Sequence, residues 1–300
     1  MPSLSKTLPT IATLLDLAEF LSVSEFELKS FCLRPKKFYN TFERPKRSGK
    51  GCRKICAPSE KLKSVQKIIK EKILDCVDAH ESSTGYKRGV SIVENAQVHV
   101  GKRALLNLDI ENFFSSISMP RVIGLFASLG YTEDVAIMLG RLCCFEHALP
   151  QGAPTSPSLA NLICHKLDRR LKGLAFKSHM QYTRYCDDIT LSSDENISGK
   201  FVEVVKEIIK DEGFSVNEDK TRVLSQRSCQ IVTGLTVNQK VNLPREKRRL
   251  IRASFHRASQ QTALTDAEQK RLEGLASFMQ MIEQHCQKQR RRVSPTDIKS

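Results

Sequence analysis

Apolar positions recur along this chain at two periods, and the change of period divides it. Over residues 10–33 they repeat at helical intervals, which predicts two short amphipathic helices split at Ser22 to Ser24, with Ser24 capping the second and Glu27 three residues on. Residues 39–51 are rich in Pro, Gly and Lys/Arg and read as a connector. Ser59 stands where it would cap a long helix with an apolar stripe of Leu62, Val65, Ile68, Ile69, Ile73 and Val77 and a basic opposite face. Residues 104–110 form a short apolar run containing Asp109, the pattern of a buried strand, and helices are predicted over 121–129 and 133–143. After turn-rich residues 149–157, a helical pattern runs over 158–174. The period then shortens: residues 181–185 and 189–192 are the arms of a hairpin with Cys186, Asp187 and Asp188 at its tip. A helix over 199–211, a strand near Arg222 and a β pair around 234–241 follow. Pro244 suits the first residue of a helix; from there the pattern is basic helix with a polar tail from Arg290, and no tandem repeat occurs.

Composition narrows the class. With 300 residues, 40% of them apolar, the chain is not disordered and can hold one to three domains around a packed core. Its most apolar N-terminal stretch, residues 8–23, is broken by Asp16 and Glu19 and has no basic segment before it, so neither a membrane span nor a signal peptide is expected. Ten cysteines, several of them among apolar residues, show no C-x-x-C pair; this is the usage of reduced thiols, and a cytoplasmic location is expected. Cys52 and Cys56 lack a complementary Cys or His pair, which argues against zinc.

Charge points to a partner. The net charge of +15 is concentrated: residues 34–70 carry +11, residues 226–300 carry +9, and the remainder is mildly acidic. A polyanion clamped between two basic flanks accounts for this, because neutralised phosphates release counterions. Solvated helix faces and a loose basic tail are the competing reading.

Three aspartates carry the candidate chemistry. Asp109 at the end of a buried strand and Asp187 and Asp188 at a hairpin tip would repel one another if brought together, and cations resolve the conflict. Two Mg²⁺ ions, bridged by Asp109 and Asp187 with Asp188 beside them, would activate an attacking hydroxyl and offset the charge on leaving pyrophosphate. An Asp pair in a turn is by itself ordinary turn chemistry; the neighbouring segments decide. Leu108-Asp109-Ile110-Glu111-Asn112-Phe113-Phe114, then Leu149-Pro150-Gln151-Gly152-Ala153-Pro154-Thr155-Ser156-Pro157, then Tyr185-Cys186-Asp187-Asp188 resemble, in order and spacing, the palm motifs of reverse transcriptases. Asn95-Ala96-Gln97-Val98-His99 and Val232-Thr233-Gly234 are similar to the Asn-Ala-x-x-His and Val-Thr-Gly signatures of bacterial retron reverse transcriptases.

That resemblance implies an α+β right-hand polymerase. Residues 1–50 would be an N-terminal helical extension, 51–104 the fingers with part of 145–160, 105–235 an antiparallel-sheet palm, and 236–300 a mainly helical basic thumb and tail. It also implies roles. Asp109, Asp187 and Asp188 are the catalytic carboxylates, with the Ile110 backbone as a further metal ligand. Phe114, five residues beyond Asp109, would lie beneath the incoming sugar and exclude a 2′-OH, unless it is a core ring. Gln151 would contact nucleotide or template, with Gly152 allowing close approach. Arg53 would hold the triphosphate. Lys220 would protonate the leaving pyrophosphate, unless it is a solvated lysine. Tyr185 would pack under the hairpin, and Cys186, nearest the primer end, departs from the alanine of most bacterial members; because Cys is also small, altered detail and no lost activity are expected, with thiol oxidation as a route to inhibition. Asn95, His99, Val232, Thr233 and Gly234 would belong to the RNA-binding elements, although a satisfied core histidine is the competing reading of His99.

Arg245, Arg248, Arg249 and Arg252 sit at helical spacings that gather several on one side, where a duplex backbone could lie. Leu275, Phe278, Met279 and Ile282 read as packing. The function implied is RNA-directed DNA synthesis with dNTPs on a cognate structured noncoding RNA, primed from the 2′-OH of a guanosine and giving branched RNA-linked single-stranded DNA. The resemblance further implies a part in antiphage defence with a separate effector protein. No ribonuclease H motif is present, so a host ribonuclease H is expected to trim the template, and 300 residues leave no room for an added nuclease, maturase or integrase domain. Another bacterial reverse transcriptase, or a noncatalytic RNA-binding scaffold, are the alternatives.

Overall fold

The computed structural model describes residues 4–45, 51–87, 89–260 and 264–292. Two short helices lead, α1 (Leu14–Phe20) and α2 (Glu25–Leu33), each opened by a complete capping box, Thr13 with Asp16 and Ser24 with Glu27. Ser22 between them takes a left-handed φ of 55°, which breaks the helix where the polar interruption predicted.

The expected connector is instead half of a hairpin. β1 (Tyr39–Pro45) pairs antiparallel with β2 (Cys52–Pro58), from Tyr39 opposite Pro58 to Pro45 opposite Cys52. Proline and basic residues masked this strand, but its partner supplies the backbone bonds that local propensity does not. Residues 46–50 of that predicted connector lie outside the described residues. Helix α3 (Glu60–Lys72) follows with Leu62, Val65 and Ile69 of the expected stripe buried and Ile68 half-buried, yet Ser59 precedes it without a side-chain capping bond. The helix closes at Lys72 through a 3₁₀ turn, Leu74–Cys76, and Val77 beyond it is still buried.

The central sheet has the order β4-β5-β3-β6, all antiparallel, built from β3 (Ala104–Asp109), β4 (Gln181–Tyr185), β5 (Asp188–Ser193) and β6 (Arg222–Ser225). A short helix that the periodicity did not mark, α4 (Ile92–Gln97), precedes β3. Helices α5 (Met119–Ser128), α6 (Glu133–Cys143), α7 (Ser156–Ile163), α8 (His165–Lys177) and α9 (Gly199–Asp211) complete the principal core with α1 to α3. The continuous helix predicted over 158–174 is therefore two helices that meet at the buried Cys164.

A second core joins α4 to the C-terminal elements. β7 (Ile231–Val232) and β8 (Leu235–Thr236) form a tight hairpin, earlier in the chain than the β pair predicted at 234–241. Its turn residues Thr233 and Gly234 both have left-handed φ, 47° and 79°, as a primed two-residue turn requires. Helices α10 (Arg245–Ser259) and α11 (Asp266–Arg292) pack through Ile251, Phe255, Leu275, Phe278 and Ile282, so the residues read as packing do pack. The polar tail beyond residue 292 lies outside the described residues.

Candidate active site

The sheet register brings the candidate carboxylates together. Asp109 ends β3 directly opposite Asp188 at the start of β5, and Asp188 in turn faces Tyr185 at the end of β4. Only Cys186 and Asp187 separate the two arms, and Cys186 takes a φ of 62°, the left-handed geometry that a two-residue turn uses at its first position. One backbone bond ties the turn to the end of β3, the Ile110 amide donating to the Asp187 carbonyl at 2.9 Å, and a second ties β3 to the segment that leads to Lys220, the Asn217 amide donating to the Asp109 carbonyl at 2.8 Å. Like charges placed directly across a sheet repel, so this pairing persists only because something offsets it.

The structure shows what does. Lys220, carried by the 3₁₀ turn Glu218–Lys220, donates from Nζ to both carboxylate oxygens of the buried Asp109 at 2.8 Å. Asp188 stands at the solvent edge, yet burial of its carboxyl and then the charges of Asp187 and Asp109 push it up to about 7, against the pull of Lys220. A carboxyl held so far above 3.8 is one that would release its proton to a cation. Among the described residues no three His, Cys, Asp or Glu side chains form a ready-made metal cage. Lys220 stands in for one positive charge, and the donor set, all oxygen, suits a hard divalent ion.

A cavity of about 370 Å³ opens beside this cluster, lined among others by Asp109, Tyr185, Asp188, Lys220 and the Val232–Gly234 turn. The short Val-Thr-Gly motif and the carboxylates thus border one space.

A family profile described as Reverse transcriptase (RNA-dependent DNA polymerase) matches residues 44–242. The chain is 42% identical over 214 residues to the retron Ec86 reverse transcriptase of Escherichia coli, covering 69% of this chain and 65% of that one. It is 36% identical over 298 residues to the retron Mx65 reverse transcriptase of Myxococcus xanthus, covering 92% and 69% respectively. The chain belongs to the retron reverse transcriptase family. A third relative, the retron Mx162 reverse transcriptase of the same organism, is 31% identical over 307 residues, covering 89% of this chain and 63% of the relative. The chain therefore spans about two thirds of the length of these relatives. The solved foamy viral protease-reverse transcriptase in complex with RNA/DNA hybrid aligns with a TM-score of 0.47 at 17% identity, over 80% of this chain and 27% of that one. The right-hand polymerase fold expected from the motifs is the fold of this family, and the described helices and antiparallel sheet are consistent with it.

Within this retron reverse transcriptase chain the other candidates divide. Phe114 is half-buried beside Phe113, its ring 6.5 Å from that of Tyr86. Tyr86 was not marked by the sequence; it is more than half exposed, has a φ of 59°, and accepts from the Cys186 thiol at 3.5 Å. Tyr185 packs at the edge of the core, as expected. Cys186 is buried, and that burial and the neighbouring Asp187 push its thiol up to about 12; the oxidation sensitivity expected of it is corrected, because the reactive thiolate is not populated. Gln151 and Gly152 lie against β2: the Cys56 amide donates to the Gln151 carbonyl at 2.9 Å, and a Cβ on Gly152 would stand 2.8 Å from the Cys56 oxygen. Arg53 on the same strand is exposed, while its neighbour Lys54 pairs with Glu146 at 2.6 Å.

The Asn-Ala-x-x-His motif requires a correction. Asn95 and His99 are 1% and 0% exposed, so neither side chain meets nucleic acid directly. His99 bridges the two arms of the Asp hairpin, Nδ1 to the Ser192 hydroxyl at 2.7 Å and Nε2 to the Thr183 hydroxyl at 2.8 Å. Burial lowers its pKa to about 3, which keeps the ring neutral. Asn95 accepts from the Thr84 hydroxyl at 2.7 Å, and that hydroxyl also donates to the Arg184 carbonyl on β4. The Val232 side chain is likewise buried and Thr233 donates to the Ile92 carbonyl at 3.1 Å, leaving the exposed Gly234 at the tip of the turn. On α10, Arg245, Arg249 and Arg252 are exposed, and Arg248 is half-buried beside the Ile251 and Phe255 face that packs on α11.

Proposed function

We propose that this chain is an RNA-directed DNA polymerase that copies a cognate structured RNA into DNA. The pairing of Asp109 with Asp188 across the sheet, with Asp187 in the turn between and Lys220 on Asp109, carries the reading. Such a charge cluster is costly to maintain without a positively charged ligand. When bound there, divalent cations, two Mg²⁺ ions in this reading, lower the pKa of the primer hydroxyl and offset charge on the departing pyrophosphate.

The chain's own residues do the rest. Asp109, Asp187, Asp188 and the Ile110 backbone hold the ions. Lys220 holds Asp109 in this structure; with that carboxylate engaged by cations its ammonium would be available to donate a proton to pyrophosphate. Phe114, with Tyr86 beside it, forms the floor under the sugar and excludes the 2′-OH. Arg53 and Gln151, on the paired β2 and its adjoining loop, hold triphosphate and template, while the α10 arginines grip the backbone of the RNA–DNA hybrid. We assign residues 1–50 to the N-terminal extension, 51–104 with part of 145–160 to the fingers, 105–235 to the palm and 236–300 to the thumb. The reading extends to retron chemistry: priming from a guanosine 2′-OH, a branched RNA-linked DNA product trimmed with host ribonuclease H, and antiphage action through a separate effector in the cytoplasm. The free thiols among the described residues are in keeping with a reducing compartment. Among the described residues no helix is long and apolar enough to cross a membrane.

The test is labelled dNTP incorporation with Mg²⁺ by protein purified with its flanking genomic RNA, wild type against Asp187→Asn. Product joined to RNA by a debranching-sensitive bond and lost in the variant is the expected result. Linear primer-extended DNA would keep the polymerase and remove the retron chemistry. No incorporation on any RNA would leave an RNA-binding scaffold.

A further inference from the structure

Arg184 is fully buried on β4, two residues before the turn that carries Asp187, and all five of its donors are used. Nε and Nη2 grip the two oxygens of Asp168 on α8, each at 2.7 Å. Nη2 also reaches the Ser83 hydroxyl at 3.1 Å, and Nη1 reaches Asn161 Oδ1 at 3.2 Å. The fifth bond runs from Nη1 to the backbone carbonyl of Cys186 at 2.9 Å. A buried ion pair is weak ground for stability, since apolar residues of similar volume often serve as well. What this pair does that an apolar pair cannot is donate to one particular carbonyl.

That carbonyl belongs to the residue whose backbone is strained. Cys186 holds a left-handed φ without being glycine, and such a conformation persists only where the surroundings over-determine it. The other side of the turn is closed by Gly85: a Cβ there would lie 2.6 Å from the Cys186 nitrogen, so the two backbones touch. Asn161 links both supports, accepting from Arg184 and donating from Nδ2 to the Gly85 carbonyl at 2.8 Å. The Asp187 carbonyl is itself held by the Ile110 amide at 2.9 Å. The Cys186–Asp187 peptide is thus held at its own carbonyl by Arg184, and the peptides before and after it are held by Gly85 and Ile110.

We propose that Arg184, held by Asp168, is a positioning residue that sets the Cys186–Asp187 peptide through the Cys186 carbonyl and so places the Asp187 carboxylate for nucleotidyl transfer. This rests on the polymerase reading above. Arg184→Lys keeps a positive charge beside Asp168 but lacks the planar fork that reaches the carbonyl. Displacement of a reacting group by about 1 Å costs on the order of 100-fold in rate.

The experiment measures primer extension and the thermal midpoint for wild type, Arg184→Lys and Leu17→Ala, the last a buried deletion on α1 that serves as a stability control. The expected result is a kcat loss on the order of 100-fold in Arg184→Lys, with KM for dNTP within about threefold, while Leu17→Ala at a temperature where it is folded keeps kcat within about threefold. Wild-type kcat in Arg184→Lys, or kcat losses that simply track the midpoint in both variants, overturns the proposal. Should Arg184→Lys fail to fold, Gly85→Ala decides by pressing on the adjoining Tyr185–Cys186 peptide of the same turn: lost kcat at an unchanged midpoint supports the proposal, and wild-type kcat, or a loss that only tracks the midpoint, overturns it. An inactive wild type would instead overturn the polymerase reading.

Discussion

Lys220 Nζ lies 2.8 Å from each carboxylate oxygen of Asp109, across 111 positions of sequence. The lysine side chain is 58% exposed and the aspartate side chain 10%, so the pair is a lid over a buried anion, worth about 1 kcal/mol or less in stability. Its ammonium and a divalent ion compete for the same oxygens. In Lys220→Gln, thermal stabilisation by added Mg²⁺ is therefore expected to exceed that of wild type by about 2–4 °C. Equal midpoint shifts in the two proteins would show that the lysine does not compete.

His99 makes stability depend on pH. Its folded-state pKa is depressed from 6.5 to about 3, so below 6.5 the unfolded chain binds a proton that the folded chain refuses. Stability from this group is complete above 6.5 and is lost as pH falls, at up to about 1.4 kcal/mol per pH unit. Asp188 has the opposite sign: raised to about 7, it favours the folded state at low pH and loses that contribution as pH rises from 3.8. His99→Gln, which removes only the first contribution, is expected to make the acid-side fall of the urea midpoint shallower, the remainder coming from His80 and His165, whose pKa values burial also lowers. A variant that falls as steeply as wild type would clear His99 of responsibility.

The Phe114 ring is tilted 49° to that of Tyr86, and its proposed role is to crowd a ribose 2′-OH. Phe114→Ala should raise ribonucleotide incorporation relative to deoxynucleotide by at least about tenfold, since one steric contact is worth roughly 1–3 kcal/mol. Unchanged sugar selection in competition assays would reduce the ring to a packing element.

On α10 the paired variant Arg248→Gln with Arg249→Gln should weaken RNA binding across unrelated sequences, because backbone contacts carry no base information. Two lost phosphate contacts reduce the slope of log K against log salt by about 1.5. A salt titration with an unchanged slope would show that these arginines face solvent.

Local sequence carried most of the helices and marked the three candidate carboxylates that the sheet brings together. Helices signalled by capping boxes and apolar stripes, such as α2 with Ser24 and Glu27 or α6 over Glu133–Cys143, formed where their periodicity lay because both signals act within a few residues. The order of the Asp109, Gln151 and Asp187 segments was equally visible, since each motif is contiguous. Strand β1 was not, because its mostly polar sequence, at the head of a Pro-, Gly- and Lys/Arg-rich stretch, is a strand only with β2 beside it. Nor was Tyr86, which no local pattern distinguishes from an exposed loop aromatic. His99 stood out as a motif residue, but its role as a buried bridge between Thr183 and Ser192 depends on a contact made 84 and 93 positions away. The same holds for the Asp109–Asp188 register, the Lys220 pair and the Arg184 grip on the turn. Spacing along a chain specifies which face of an element is apolar; which charged groups finally meet is decided when β3, β5 and α8 pack, because a buried charge left without a partner is costly.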